Sequence, residues 1–455
     1  MKLQVVILAA GQGTRMKSRL PKVLHPIAGK PLLAYVVDSA EALAAQTIQV
    51  VVGHGAALVK ERLANERLNW VQQTQQLGTG HAVAQALPDI DDDSVVLVLY
   101  GDVPLTSKAT LAALLAQVDA NSLALLTVNL SNPTGYGRIV RDTAGGVQAI
   151  VEEKDANDQQ REICEGNTGI LAVSGAKLKQ WLPALSCDNA QGEYYLTDVI
   201  AMAVADGMAV VTVVANTEQE VQGINSRQQQ AELERWYQLQ QANTLMAGGV
   251  TLADPARIDI RGKVSHGEDV FIDVNAVFEG DVSLGSNVKI GPNVQIINSH
   301  IADGVSIYAN TVIENTEVST GCQVGPYARL RPGTRLAENA KIGNFVETKQ
   351  ADIGRGSKIN HLSYVGDARL GRDVNIGAGA ITCNYDGANK HHTDIGDKVF
   401  VGSNTALVAP IKIDAGATIG AGSTVSNNVA AEALVVVRGK PRVIKGWQRP
   451  AKKPK

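Results

Sequence analysis

The chain reads as two folds in series: an α/β domain on a mostly parallel sheet, then an all-β parallel β-helix of hexapeptide repeats. Two observations predict this. Continuous apolar runs alternate with helix-like stretches over the first half of the chain. From about Ile272 to Val429 an aliphatic residue then returns at every sixth position. Ile272, Phe278, Leu284, Ile290 and Ile296 follow this spacing, as do Val318, Val324, Leu330, Leu336 and Ile342. Neither an α-helix nor an ordinary strand has a period of six. Each hexad forms one flat side of a coil, and three sides make a turn of about eighteen residues with aliphatic ladders inside.

In the first half, Leu3–Ala10 is a continuous apolar run suited to a strand buried on both faces, and Ile48–Val52, Val95–Leu99, Leu123–Val128 and Val210–Val214 are similar. Leu32–Ala45 and Ala109–Gln117 read as helices between them. This domain spans 1–225. A linking helix follows in 226–249, with Leu233, Trp236, Tyr237, Gln240 and Leu245 as a broken apolar stripe and Ala231, Glu234, Arg235 and Gln238 on another side. Gly248 and Gly249 end it. The repeat domain occupies 250–455. The insertion Cys383–Asp394 interrupts its ladder and reads as a loop on one face. Arg438–Lys455 carries eight Lys and Arg and no acid, an extended basic tail.

A formal net charge of −3 argues against a dedicated nucleic-acid partner. The four cysteines lie far apart with no CxxC pair, so a reduced, cytoplasmic chain is expected. No stretch approaches the roughly 18–20 apolar residues of a membrane span.

The chemistry of the first half begins at Leu8-Ala9-Ala10-Gly11-Gln12-Gly13-Thr14-Arg15-Met16, directly after a buried strand. Glycines let backbone N–H groups approach an anion, and a following helix N-terminus would favour it. Arg15 and Lys22 add cations for a polyphosphate. The plainer alternative is a tight strand–helix turn with surface charges. Tyr100-Gly101-Asp102 ends an apolar strand, where open α/β sheets bind ligands. Asp102 is then either a turn former or, with Asn225, an oxygen ligand of Mg²⁺.

In the second half, His361 within Asn360-His361-Leu362-Ser363-Tyr364 can serve as a base near neutral pH, or be structural. Arg331 and Lys349 can hold a phosphate, or be surface charges. The pair His391-His392 is weak evidence for a metal without carboxylate or cysteine partners.

The opening LAAGxGTRM signature followed by Pro21-Lys22 resembles the sugar-1-phosphate nucleotidyltransferases. The segment Gln76-Leu77-Gly78-Thr79-Gly80-His81-Ala82, with Gln73, resembles their base-recognition segment. Gly137-Arg138-Ile139, Glu152-Glu153-Lys154, Gly166-Asn167-Thr168-Gly169 and Gly223-Ile224-Asn225 complete the match. The whole chain, including the Asn360–Asp367 segment and basic tail, resembles the bacterial family of bifunctional N-acetylglucosamine-1-phosphate uridyltransferases and glucosamine-1-phosphate acetyltransferases.

That resemblance implies a Rossmann-like nucleotidyltransferase domain and a left-handed β-helix acetyltransferase domain. It implies that acetyl-CoA acetylates glucosamine 1-phosphate. The product, N-acetylglucosamine 1-phosphate, then reacts with UTP and Mg²⁺. Arg15 and Lys22 would act in uridylyl transfer. Leu8, Ala9, Ala10 and Gly11, then Gln73, Gly78 and Thr79, then Tyr100, Gly101 and Asp102 would line that site. Gly137, Glu152, Asn167 and Asn225 would complete it, with Asp102 and Asn225 on the metal. His361 would be the acetyltransferase base. Arg331, Lys349, Tyr364 and Asn375 would bind the aminosugar phosphate. Ala378, Asn384 and Tyr385, with Ser403, Ala421 and Arg438, would contact the sugar or acetyl-CoA. A homotrimer is implied as well. The rival readings are a single-activity nucleotidyltransferase with a structural or regulatory β-helix, and a non-catalytic assembly subunit.

Overall fold

A computed structural model describes residues 2–439 and 441–449. Of the basic tail, residues 440 and 450–455 lie outside the described residues. The chain divides into two compact units, Met1–Tyr237 and Gln238–Lys455.

The first unit is built on one mixed sheet. Its main strand order is Ala209–Val214, Ser122–Asn129, Glu165–Ser174, Ser94–Tyr100, Lys2–Ala9, Thr47–Val52, Leu68–Gln72. Glu165–Ser174 is antiparallel to both neighbours, and the other pairs along this order are parallel. All five expected strands are present within one or two residues of their expected ends. The first strand shows why its apolar run is continuous. Val5, Ile7 and Ala9 enter one core while Val6 and Leu8 enter the core on the opposite face. The expected helices form as Leu32–Ala42 and Lys108–Leu115. Ser107 caps the second by accepting from the Thr110 N–H at 3.1 Å.

The long helix runs Arg227–Ala247, and Ser226 Oγ accepts from the Gln229 N–H at 3.2 Å at its start. Its first half buries Leu233 in the first unit, and its second half buries Ala242 and Leu245 in the second. The polar placement of Gln238 was incorrect. Gln238 is buried, donating to the Ile260 carbonyl at 3.0 Å and accepting from the Ile260 N–H at 2.7 Å. A side-chain amide can complete a backbone ladder where an apolar residue would leave both backbone groups unpaired.

The second unit is a left-handed parallel β-helix. One ladder runs Ile272, Ile290, Ile307, Val324, Ile342, Ile359, Ile376, Val401 and Ile419, each paired to the next coil. Steps are 17 or 18 residues except Ile376 to Val401, which is 25 (401 − 376) because the Cys383–Asp394 insertion lies there. The coils reach Leu434–Val435, one pairing beyond the expected end. Aliphatic ladders fill the interior, and of the four phenylalanines only Phe278 is buried. Corners turn through left-handed residues, many of them Asn, whose short side chain tolerates that region. Asn275 donates to Asn293 at 2.8 Å, and Asn293 to Asn310 at 3.2 Å.

Candidate functional sites

In the first unit, the carboxyl ends of the parallel strands Lys2–Ala9 and Ser94–Tyr100, with the loop after Leu68–Gln72, line one cavity of about 350 Å³. Leu8, Ala9, Ala10 and Gly11 form its floor, Gln73, Gly78 and Thr79 one wall, and Tyr100 and Asp102 another. Lys22 closes the edge. Its Nζ lies 2.5 Å from Asp102 Oδ2 and donates to Asn225 Oδ1 at 3.0 Å. The Ile224 N–H donates to the Asp102 carbonyl at 2.9 Å, which draws Asn225 to this point from 123 residues away (225 − 102). Gly13, at φ 63°, lies so close that a Cβ there would come within 2.7 Å of Lys22 Cβ. Only a residue without a side chain lets the loop approach this closely.

One expectation fails here. No α-helix follows the glycine loop. Thr14–Met16 is a single 3-10 turn, too short to supply a helix dipole. Met16 is buried beneath it, which holds the loop down by packing, while Arg15 is exposed.

Gly101 does not line the cavity. Its missing Cβ would meet Leu33, Val23 and Ala9, so its smallness serves packing under the floor. Gly137, Glu152 and Asn167 gather beside the cavity rather than in its lining. The Asn167 N–H donates to the Gly137 carbonyl at 2.8 Å, and Thr197 Oγ1 donates to Glu152 Oε1 at 3.2 Å. Burial raises the Glu152 carboxyl above the usual carboxylate range. Burial, with Glu152 and Asp102 nearby, raises the Tyr100 phenol. Gln73 is buried, donating to the Gly78 carbonyl at 3.3 Å and lying 3.0 Å from His81 Nδ1. Glu193 also lines the cavity. No periodicity or motif marks it, because it arrives on a loop.

In the second unit, His361 ends the strand Lys358–His361 and faces outward. Its Nδ1 lies 2.6 Å from Asn344 Oδ1. The carbonyl accepts from Nδ1–H, which leaves the Nε2 lone pair free of that bond. Asn344 was not singled out in the sequence, yet it lies 17 residues before His361 and pairs with it. Coil arithmetic would have found it. A cavity of about 600 Å³ adjoins His361, walled by Pro326, Tyr327, Lys341 and Phe345.

His361 begins a column along one corner. The Gly379 N–H donates to the His361 carbonyl, Asn404 N–H to Ala378, and Gly422 N–H to Ser403, at 3.2, 2.7 and 2.7 Å. The Arg438 guanidinium donates to the Ala421 carbonyl. The expected residues Ala378, Ser403, Ala421 and Arg438 thus climb one edge, one coil apart. Asn375 lies on the adjoining face, paired with Lys358 and Phe400.

Around the corner, Tyr364, Lys349 and Arg331 form a second group with the insertion. Arg331 donates to Glu347 at 2.8 Å, and Glu347 pairs with Tyr364. Asn384 Nδ2 donates to Asp367 at 2.5 Å and to Tyr364 Oη at 3.4 Å. Lys390, close by, then desolvation and then Arg331 lower the Lys349 pKa, against a smaller opposing effect of Asp367. Lys390 was missed because only the folded insertion carries it to Lys349. Tyr385 is exposed on the same loop. The His361 cavity contains none of Arg331, Lys349 and Tyr364 in its lining.

A cleft on an α/β sheet that carries Lys22 and Asp102, in one chain with a β-helix bearing an exposed histidine and a cation cluster, is the architecture of a two-domain transferase. The model of the MobA-like NTP transferase domain matches residues 5–252, and that of the GMPPB C-terminal domain matches residues 260–346. The bifunctional protein GlmU of Marinobacter nauticus is 64% identical over 450 residues, covering 99% of each chain. That of Cellvibrio japonicus is 60% identical, covering 99% of this chain and 100% of its own. That of Stutzerimonas stutzeri is 59% identical over the full length of both. The chain belongs to the bifunctional GlmU family. It is a bifunctional enzyme of UDP-N-acetylglucosamine synthesis, an acetyltransferase acting on glucosamine 1-phosphate and a uridyltransferase acting on the acetylated product. The single-activity reading is not favoured. No helix among the described residues is long and apolar enough to cross a membrane.

Proposed function

We propose that the sheet-domain cavity binds UTP and N-acetylglucosamine 1-phosphate, and that the β-helix corner binds acetyl-CoA and glucosamine 1-phosphate. Asp102 and Asn225 would hold Mg²⁺, whose charge would neutralise the triphosphate. Their fit rests on one observation: both oxygens already converge on a single cation, the Lys22 ammonium. Lys22 and Arg15 hold and orient phosphates. A sugar-phosphate oxygen attacks the α-phosphorus of UTP, the bond to the β-phosphate breaks, and pyrophosphate leaves. The nucleophile is already anionic, so these residues act by charge and position rather than proton transfer.

In the β-helix, Arg331, Lys349 and Lys390 hold the acceptor phosphate, and Tyr364 and Asn375 orient the sugar. Asn384, Tyr385 and the corner column contact the coenzyme. The acceptor amine attacks the thioester carbonyl, His361 Nε2 takes the proton lost from nitrogen, and the C–S bond breaks to release the thiol. The reading is carried by the placement of His361, outward on the coenzyme column with Nδ1 held by Asn344. A homotrimer is part of the proposal, because base and cation cluster lie on different sides of a corner that a neighbouring copy can complete. A cytoplasmic location fits four free cysteines.

His361→Ala tests the assignment. Acetyl transfer falls by about 10²–10⁴-fold, the usual worth of a general base, while pyrophosphate release from UTP and N-acetylglucosamine 1-phosphate stays unchanged. Undiminished acetyl transfer assigns the base elsewhere.

A further inference from the structure

The insertion folds as a small hairpin with its own internal clasp. Tyr385 and Lys390 form an antiparallel bridge, and the His391 N–H donates to the Asn384 carbonyl at 2.8 Å. Asp386 is the hub. Its Oδ1 accepts from the Ala388 and Asn389 N–H groups at 2.8 and 2.7 Å. Its Oδ2 accepts from His391 Nε2 at 2.7 Å. These bonds hold the carboxyl well below the usual carboxylate range, the Asn389 N–H contributing most. Nothing in the reaction uses Asp386 or His391 directly. They are spent on the shape of a turn whose next residue, Lys390, belongs to a cluster of three cations.

Glu347 pairs with Arg331 and Asp367 acts on Lys349, yet the Lys390 ammonium still lowers the Lys349 pKa, so the hairpin holds Lys390 against a net repulsion that a bound anion would relieve. We infer that Asp386 and His391 are positioning residues for acetyl transfer, clasping the hairpin so that the Lys390 ammonium stays beside Lys349 and Arg331. This rests on the reading of that cluster as the acceptor's phosphate subsite. Nε2–H donates to the carboxylate whether or not the other ring nitrogen carries a proton. A side-chain amide of similar reach can therefore replace it.

The experiment is steady-state acetyl transfer by the full chain, varying glucosamine 1-phosphate and acetyl-CoA separately. His391→Ala should raise the acceptor KM by about tenfold, as loss of one charge-assisted hydrogen bond does, with kcat within about twofold. His391→Gln should restore the KM to within about twofold of the parent, because its amide still donates. Lys390→Ala combined with His391→Ala should be no worse than Lys390→Ala alone, because the histidine acts through the lysine. Uridylyl transfer and the thermal midpoint should not move. An equal rise in the acetyl-CoA KM, no rescue by Gln, or additive losses in the double variant would overturn the inference. Lys349→Ala separates the two layers. If it raises the acceptor KM while His391→Ala does not, the clasp is wrong and the phosphate subsite stands. If neither raises it, the subsite reading falls and takes the clasp with it.

Discussion

The two halves use the same material, buried aliphatic strands, to build opposite kinds of site. In the sheet domain the site is a hollow at the ends of strands, and its partners are far apart in the chain. Lys22 meets Asp102 across 80 positions and Asn225 across 203. In the β-helix the site is an edge. Asn344, His361 and Ala378 follow at 17-residue intervals because each coil places its corner against the one before. A winding sheet turns sequence spacing into a spatial ladder. An open sheet brings together whatever loops happen to leave its carboxyl edge.

This contrast can be broken by experiment. Asp102→Ala should abolish most uridylyl transfer, by at least about 10²-fold, the scale of removing one charge-stabilising group, and leave acetyl transfer within about twofold. Loss of both activities would show that the two sites are not independent. Next in size, Ile359→Ala removes a fully buried ladder residue two positions from His361. It should cost about 2–5 kcal/mol in denaturant unfolding of the β-helix, with uridylyl transfer kept under native conditions. A cost near zero would mean that neighbouring coils close the gap. Gly169 sharpens the comparison from the sheet side. It lies at φ 82° beside the bulge between Asn167 and Leu171, and a Cβ there would come within 2.5 Å of the Tyr100 ring. Gly169→Ala should lower uridylyl transfer about tenfold by displacing Tyr100, an effect of about 1–3 kcal/mol for strained backbone. An unchanged rate would show that the Tyr100 position is not critical.

The smallest expected effect is on pH. Burial, and then Arg227, lower the folded-state pKa of His25. A histidine with a depressed folded pKa favours the unfolded chain once it can take a proton. Its stabilising share is complete above the ordinary value of about 6.5 and is lost as pH falls toward the folded value. The thermal midpoint of the sheet domain should therefore fall between pH 7.5 and 5.5, and His25→Gln should reduce that fall by no more than about 3 °C. A fall of the same size in the variant would remove His25 as the cause.

Legibility followed the same division. The repeat period revealed the coil, and Ala378, Ser403, Ala421 and Arg438, which the resemblance alone singled out, stack one coil apart on a corner that only the structure shows. Asn344 could have been reached by subtracting one coil from His361. Lys390 could not, because the inserted hairpin has no period and only its fold points the ammonium at Lys349. In the sheet domain the glycine loop, Gln73, Thr79, Tyr100 and Asp102 were readable as motifs, and the cavity gathers them. The helix expected after the glycine loop was wrong because Met16 anchors a single 3-10 turn there by burial, a tertiary effect with no local signal.

By itself the sequence determined the two folds, their order and most residue types at the two sites. Apolar period and glycine placement are local properties that act on the backbone directly. Only the tertiary structure decided that Lys22 bridges Asp102 and Asn225, that His361 is held by Asn344, and that Gln238 turns inward. Each is a contact between side chains whose meeting depends on how whole elements pack.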